Sequence, residues 1–504
     1  MKRFFNLFSS KFDLSDSKKQ HRSILLDFSK ETLQKWGFIF IVIISVFFVS
    51  NGIIKGNIRL LTIVSLLFIL GVCCLKIESG VIGILIFLPF MGILRRYIYY
   101  FNPYVTLDPI LIISSILTLF MFGYIFVFYG EEILNYSNES KLFKYVIYLL
   151  ILFVLEAFNP FQGGLAVGFS GIMYIVVPFL WFYFGFFFPT NKMATLFYII
   201  SIIGIITSIY GLHQIYYGLL PFEKYWMEYG GFGSIKIKGF LKAFSTFMSP
   251  QEFANYLLIA SAISFMYLFK KIALYPIWII GFIVLMYGVF MTSTRSAIFY
   301  FFALVSFFIS LKLKSFSKAI IANIIIVLIL VVGLPKIKLS SGTVKTAKEA
   351  NMEHLASGVK DPFDEESTFW RRVDMARWTF NEMFSTPFGR GIGAITLGSG
   401  KFGGQVVGGM ELFQLAIIGA CGIPGLILGL IIIYWLIKNS IFLIKKDSDT
   451  YLIPCVLTVW LIITGEPRLY SIGPFFYLLL GWVTKESIWV QRIEKEKKRQ
   501  KESF

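Results

Sequence analysis

Charge is scarce in this sequence. Only 15% of its 504 residues are Asp, Glu, Lys or Arg, against 57% hydrophobic and 18% aromatic, and that balance excludes an ordinary soluble protein. Histidine is scarcer still: His21, His213 and His354 stand far apart, so no histidine metal centre is expected. The cysteines, Cys73, Cys74, Cys421 and Cys455, lie in apolar stretches without the CxxC spacing of a metal site. They read as small core residues and give no disulfide framework. A cleavable leader is not expected, because the first 35 residues are polar and basic and the first apolar run is followed by Lys55, not by a small-residue cleavage site. No repeat of solenoid period occurs, and no metal or cofactor is expected.

Apolar length is what the chain has in abundance. Runs long enough to cross about 30 Å of hydrocarbon recur from Trp36 to the C-terminal tail. We place spans at 37–54, 59–76, 80–95, 108–129, 144–158, 170–188, 193–216, 252–269, 273–292, 296–313, 317–334, 411–437, 450–465 and 470–487. The expected fold is an all-α polytopic membrane protein with about fourteen transmembrane helices. The net charge of +18 then reports topology before affinity, and nucleic acid is not an expected partner. A basic arm (1–35), the tail (488–504) and the short connections at Lys270–Lys271, Lys312–Lys318 and Lys438–Lys446 all fall on one side, the cytoplasmic one by the positive-inside rule. Within the arm, Ser23 to Gln34 either lies on the membrane as an amphipathic helix or stays unstructured. The tail, ending IEKEKKRQKESF, is a solvated or lipid-surface segment.

This topology places two long polar loops on the extracytoplasmic side, 217–251 within the span region 36–334 and 335–410 between it and the span region 411–487. Arg95–Arg96, Arg295 and Arg468 collect on the same face against the usual bias of basic residues, which points to a bound anion.

The segment 367–425 is the one long stretch that is neither membrane-apolar nor a charged tail. Phe369, Val373, Ala376, Phe380 and Met383 recur at helical spacing, so 369–384 is read as a surface helix packed down on that stripe, with Arg371 and Arg372 off it. Those arginines form either a solvated basic face or part of a site. Pro387 ends the helix, and Gly389-Arg390-Gly391-Ile392-Gly393 follows. This glycine cluster follows a helix and opens none after a strand, so it is no dinucleotide motif. Glu411 opens the next span; it either favours the helix dipole or acts as a general base towards a sugar hydroxyl. Arg295, in TSTRSA at a membrane border, either snorkels to lipid phosphate or is aimed at a diphosphate, where a planar guanidinium binds two oxygens at once. Tyr225, Trp226, Tyr229 and Phe232 either stack on sugar rings or join an interfacial aromatic belt. Glu156 sits near the outer end of its span, and no role is assigned to it.

Taken in order, YGLHQIYYG, AFSTFMSPQEFANYL, TSTRSA, the block RVDMARWTFNEMFSTPFGRGIG and ELFQLAIIGACGIPGL give the chain a family look. It resembles the O-antigen ligase and polysaccharide polymerase (Wzy-type) membrane glycosyltransferases over most of its length, best from Gly211 onward. The resemblance implies a glycosyltransferase-C-like fold and inverting transfer of a glycan from an undecaprenyl-diphosphate donor to a hydroxyl, without metal or nucleotide. It implies that Arg295 and Arg372 neutralise the diphosphate leaving group and that Glu411 takes or orients the acceptor proton. Glu411 stands eleven residues before the glycine of GIPG, where many ligases have histidine, and this departure favours a polymerase. Lys242 stands where an arginine is common. Arg371, Arg390, Lys242, Arg468 and Trp378 are the candidate substrate-binding residues. The expected function is a polysaccharide polymerase at the outer leaflet of the plasma membrane, working on undecaprenyl-diphosphate-linked oligosaccharide among membrane lipids, with a flippase and a chain-length regulator as companions. A ligase of the same family and a secondary transporter are the alternatives.

Overall fold

A computed structural model describes residues 58–101, 110–229, 239–268, 275–313, 368–396, 399–404, 413–464 and 471–502, with short pieces elsewhere that include 236–237 and 353–354. The expected spans at 37–54 and 317–334 lie almost wholly outside the described residues. The rest is a bundle of α-helices, as a chain immersed in hydrocarbon requires, since a helix satisfies its own backbone.

In chain order the helices are α1 (Ile58–Cys73), α2 (Ile77–Phe101), α3 (Ile110–Glu139), α4 (Lys141–Glu156), α5 (Leu165–Phe187), α6 (Thr190–Tyr216), α7 (Pro221–Tyr229), α8 (Pro250–Leu268), α9 (Tyr275–Met291), α10 (Arg295–Leu313), α11 (Thr368–Ser385), α12 (Phe413–Lys446), α13 (Ser448–Thr464) and α14 (Gly473–Glu502). Five of them, α2, α3, α5, α6 and α12, are each long and apolar enough to cross a membrane. This is a membrane-embedded helical protein. A ribbon of two-residue strands, Lys236–Ile237 and Phe240–Leu241, pairs antiparallel between α7 and α8.

Most helices run alternately between two ends of the bundle, and the ends differ in chemistry. At one end charges pair with one another. Arg492 of α14 donates to both oxygens of Glu139 of α3 at 2.7 Å, Lys446 pairs with Glu494, and Lys485 lies 3.2 Å from Glu486. The tail is helical here to Glu502, because Glu, Lys, Arg and Gln simply continue the helix of the span. The other end carries α7, α11, the ribbon and the glycine-rich run after α11.

Close approaches lock the bundle. Gly185 of α5 and Gly481 of α14 face each other, and a Cβ on either would strike a carbonyl of the opposite helix, Leu478 O or Phe182 O. Within α5 a π turn at Ile172–Val176 comes just before Pro178, which has no N–H to give. α12 is broken at Gly422, whose φ of 58° and ψ of −141° suit glycine alone.

The surface helix is present as α11, and it stops at Ser385, ahead of Pro387. Its packed face departs from the expected stripe. Met383 and Ala376 meet Leu415, Ile418 and Leu426 of α12, and Thr379 is buried beside them, whereas Phe380 points outward at 43% exposure. Positions 376, 379 and 383 share one helix face, and 380 lies a quarter-turn round from 379.

Candidate functional site

The site is built at the polar end by the segment 242–249. Its Thr246 is stitched into α2: the hydroxyl donates to Pro89 O at 2.6 Å, and Thr246 O accepts from Ile93 N at 2.8 Å. Gly92 makes room, since a Cβ there would press on the Thr246 and Phe247 backbone. Ser245 adopts φ 51°, unusual for a residue with a side chain, and several bonds hold it so. Its N–H donates to Gln214 Oε1 at 2.7 Å and its hydroxyl to Thr207 O at 2.6 Å.

Arg96 is the post under this segment. Expected in a short loop as an anion ligand, it lies inside α2 at 1% exposure. It donates to Phe247 O at 2.6 Å and to Ser245 O, and stands 3.5 Å from the fully buried Glu223 of α7. The rings of Phe244 and Trp226 flank it, with centroids 4.8 and 5.8 Å away. Gln214 completes the cluster by donating to Glu223 Oε1 at 2.7 Å. A charge with this many protein partners is an internal brace, and the anion reading of Arg96 is corrected accordingly. Trp226 is corrected with it: at 3% exposure it packs on Arg96 and cannot stack on a sugar. Arg95 donates to Met248 Sδ at 3.0 Å.

From this anchored segment Lys242 comes within electrostatic range of Arg295. Ala243 N donates to Met291 O at 3.0 Å, tying the segment to the turn between α9 and α10. In that turn Ser293 also adopts a positive φ, 55°, and Thr292 caps back onto Val289 O at 2.7 Å. The turn delivers Arg295 to the first position of α10, beside Lys242. Burial, and then the Arg295 guanidinium, hold the Lys242 ammonium below the ordinary lysine range. Arg295 also donates through Nε to His354 O at 2.9 Å, and its Nη2 lies 3.0 Å from His354 Nδ1. With Nδ1 accepting, the neutral ring carries its proton on Nε2. Arg295 and the His354 imidazole are thus in contact, with Lys242 within electrostatic range, from three distant parts of the chain. A fixed guanidinium with a second cation within electrostatic range suits a phosphate oxygen pair.

The glycine run after α11 has another task. Arg390 N and Gly391 N donate to Gly419 O and Ala420 O, each at 3.0 Å, and Ile423 N donates to Pro387 O at 2.8 Å. The run fills the break in α12. On its other side Gly393 N donates to Gln162 Oε1 at 3.1 Å, and Asn159 Nδ2 bridges Gly389 O and Glu156 Oε2 at 3.2 and 2.6 Å. Gly389 (φ 82°) could not carry a side chain here, because a Cβ would strike Ala420 O. These glycines serve backbone docking.

The remaining expected site residues fare differently. Arg390 is ion-paired with Glu382 of α11. Trp378 is 40% exposed on α11, away from its packed face. Arg371 and Arg372 fall near the start of α11, but their side chains, like Glu411 and Arg468 as a whole, lie outside the described residues. Of the expected residues, Lys242 and Arg295 are brought together. His354, Gln214 and Glu223 were missed as members of this end. The two polar residues in YGLHQ and LLPFEK, flanked by apolar ones, were the available signal.

The helical bundle is that of a membrane-embedded protein, with Lys242, Arg295 and His354 at one end of it. No family model, curated protein or solved structure matches the chain.

Proposed function

We propose that this protein is a polysaccharide polymerase of the O-antigen ligase and Wzy-type class. It transfers a glycan from an undecaprenyl-diphosphate donor to a hydroxyl of a second lipid-linked unit, with the polar end of the bundle facing the extracytoplasmic side of the plasma membrane. What supports the proposal is Arg295, held by His354 at the start of an apolar helix and within electrostatic range of Lys242. A lipid-borne diphosphate sits at that depth, and its departure needs growing negative charge stabilised more than it needs an acid. The paired charges at the opposite end fit the cytoplasmic face. Arg372 and Glu411 complete the proposed machinery, as leaving-group cation and acceptor base. Glutamate at 411, where many ligases have histidine, favours polymerase over ligase.

The broken helix α12 would suit a transporter if its freed carbonyls faced a cavity, as ion sites do. Here Gly419 O and Ala420 O take the amides of Arg390 and Gly391, which weighs against that reading.

The test is direct. Purified protein receives undecaprenyl-diphosphate oligosaccharide from the source strain, and products are resolved on a gel, with Arg295→Ala alongside. A product ladder that falls by about 10²–10³ in the variant supports the proposal. Transfer only on adding a lipid-core acceptor makes it a ligase. Solute movement in liposomes without release of lipid diphosphate overturns both.

A further inference from the structure

The last turns of α2 and the whole of α7 carry rings that neither the brace nor the cationic site uses. Tyr97, Tyr100 and Phe101 are exposed by 47, 42 and 47%, and Tyr229 by 59%. They interlock with Phe222 and Tyr225, the α2 rings edge to face and Tyr229 tilted. Tyr97 meets Phe222 at 5.6 Å, Tyr100 meets Tyr225 at 5.4 Å, and Tyr225 meets Tyr229 at 4.8 Å. Tyr99 donates its hydroxyl to Tyr229 O at 3.1 Å, pinning the end of α7. Beneath them the Arg96–Glu223 pair joins the same two helices. The array is therefore rigid as well as exposed.

Its depth separates it from an aromatic belt. α2 has 25 residues, so its length of about 37 Å exceeds about 30 Å of hydrocarbon by more than a turn. Counted from Glu78 in its first turn, Tyr97 to Phe101 lie about 29–35 Å along the axis, at or past the far edge of such a layer. Lys224 and Glu228 are exposed on α7 between these rings, and such charges do not lie among acyl chains. A hydrogen bond from Tyr229 to the Glu228 carboxylate pushes the phenol above its ordinary range. Flat apolar faces edged with hydroxyl, carboxylate and ammonium groups match a pyranose, which has apolar C–H faces and a rim of hydroxyls. The platform stands at the same end as Lys242 and Arg295, and the segment carrying Lys242 is bonded to the same α2–α7 brace.

We propose that this α2–α7 tyrosine platform is a carbohydrate-binding site that holds sugar rings of the glycan beside the cationic site. Its assignment to the growing glycan rests on the polymerase reading; its binding of sugar does not.

The experiment uses full-length protein in detergent and, as probe, the lipid-free oligosaccharide released by mild acid from the source strain's lipid-linked units. Affinity is measured for wild type, for Tyr100→Ala/Tyr229→Ala and for Tyr100→Phe/Tyr229→Phe, with melting curves as the folding control. Saturable binding by wild type, a loss of about tenfold or more in the alanine pair and recovery in the phenylalanine pair are expected. Arg295→Ala is expected to bind the probe normally, because the probe has no diphosphate. Should that pattern hold while no polymer forms, the platform stands and the polymerase reading falls. Unchanged affinity in a folded alanine pair, or no wild-type binding up to about 10 mM, overturns the platform. So does a Tyr100→Cys variant in vesicles that a membrane-impermeant maleimide fails to label above the wild-type background, since the ring would then lie in lipid.

Discussion

Arg96 and Arg295 sit at the same end of the bundle and do opposite things. Arg96 meets a carboxylate, two carbonyls and two aromatic faces, all from the protein, and is sealed from solvent. Arg295 keeps partial exposure and has a second cation for a neighbour. Arg96, whose two terminal nitrogens are taken up by the protein, is architecture; Arg295, within electrostatic range of Lys242, is where the proposed diphosphate would bind. Sequence position could not separate them, since both lie at the edge of apolar runs.

The sharpest way to break the comparison is to remove Arg96. Arg96→Ala leaves Glu223 buried with its counter-charge gone and is expected to cost about 3–5 kcal/mol. The readout is a collapse of the melting temperature in detergent, with loss of polymer as a secondary result. A normal melting curve would end the assignment of Arg96 as a brace. Arg295→Ala reverses the pattern. It keeps its melting curve and loses about 10²–10³ in turnover, measured by initial rates on the lipid-linked donor.

Gly422→Ala tests the third element, the filled break in α12. Its backbone conformation suits glycine only, and a Cβ would strike Pro387 O. A destabilisation of about 1–3 kcal/mol is expected, read as a lower melting temperature, with Arg96 and Arg295 untouched. The smallest effect concerns pH. The Lys242 ammonium is held below the ordinary lysine range by burial and then by Arg295. Between that lowered value and the ordinary one, the unfolded chain binds more protons than the folded one. Stability therefore rises with pH across that window. Affinity for a diphosphate falls across the same window, because the ammonium that attracts it is discharged. Calorimetric titration with inorganic pyrophosphate against pH reads this, and Lys242→Arg is expected to hold binding to higher pH.

Much of the bundle was legible because a helix in lipid announces itself by length and apolarity alone. The ends of α6, α8, α10 and α13 fall within a few residues of where the apolar runs stop. α2 did not, for Arg95 and Arg96 looked like a loop when they continue the helix. The burial of Arg96 depends on Glu223, 127 residues away in sequence, and nothing local marks that pairing. For the same reason His354 looked isolated until α10 presented Arg295 to it. Lys242 and Arg295 were both put forward through the family resemblance, as substrate-binding residue and leaving-group cation, and no local pattern linked one to the other. The glycine run showed that backbone would come close to something, but not that the partner was a break in the next helix.

That break bears on how the molecule is made. The carbonyls freed at Gly422 are met by amides from a segment synthesised earlier, and the far side of that segment rests on Asn159 and Gln162, earlier still. α12 cannot reach its final shape as an isolated insertion event. It has to enter alongside a loop already delivered to its surface, so the last third of the chain is finished by docking onto the first.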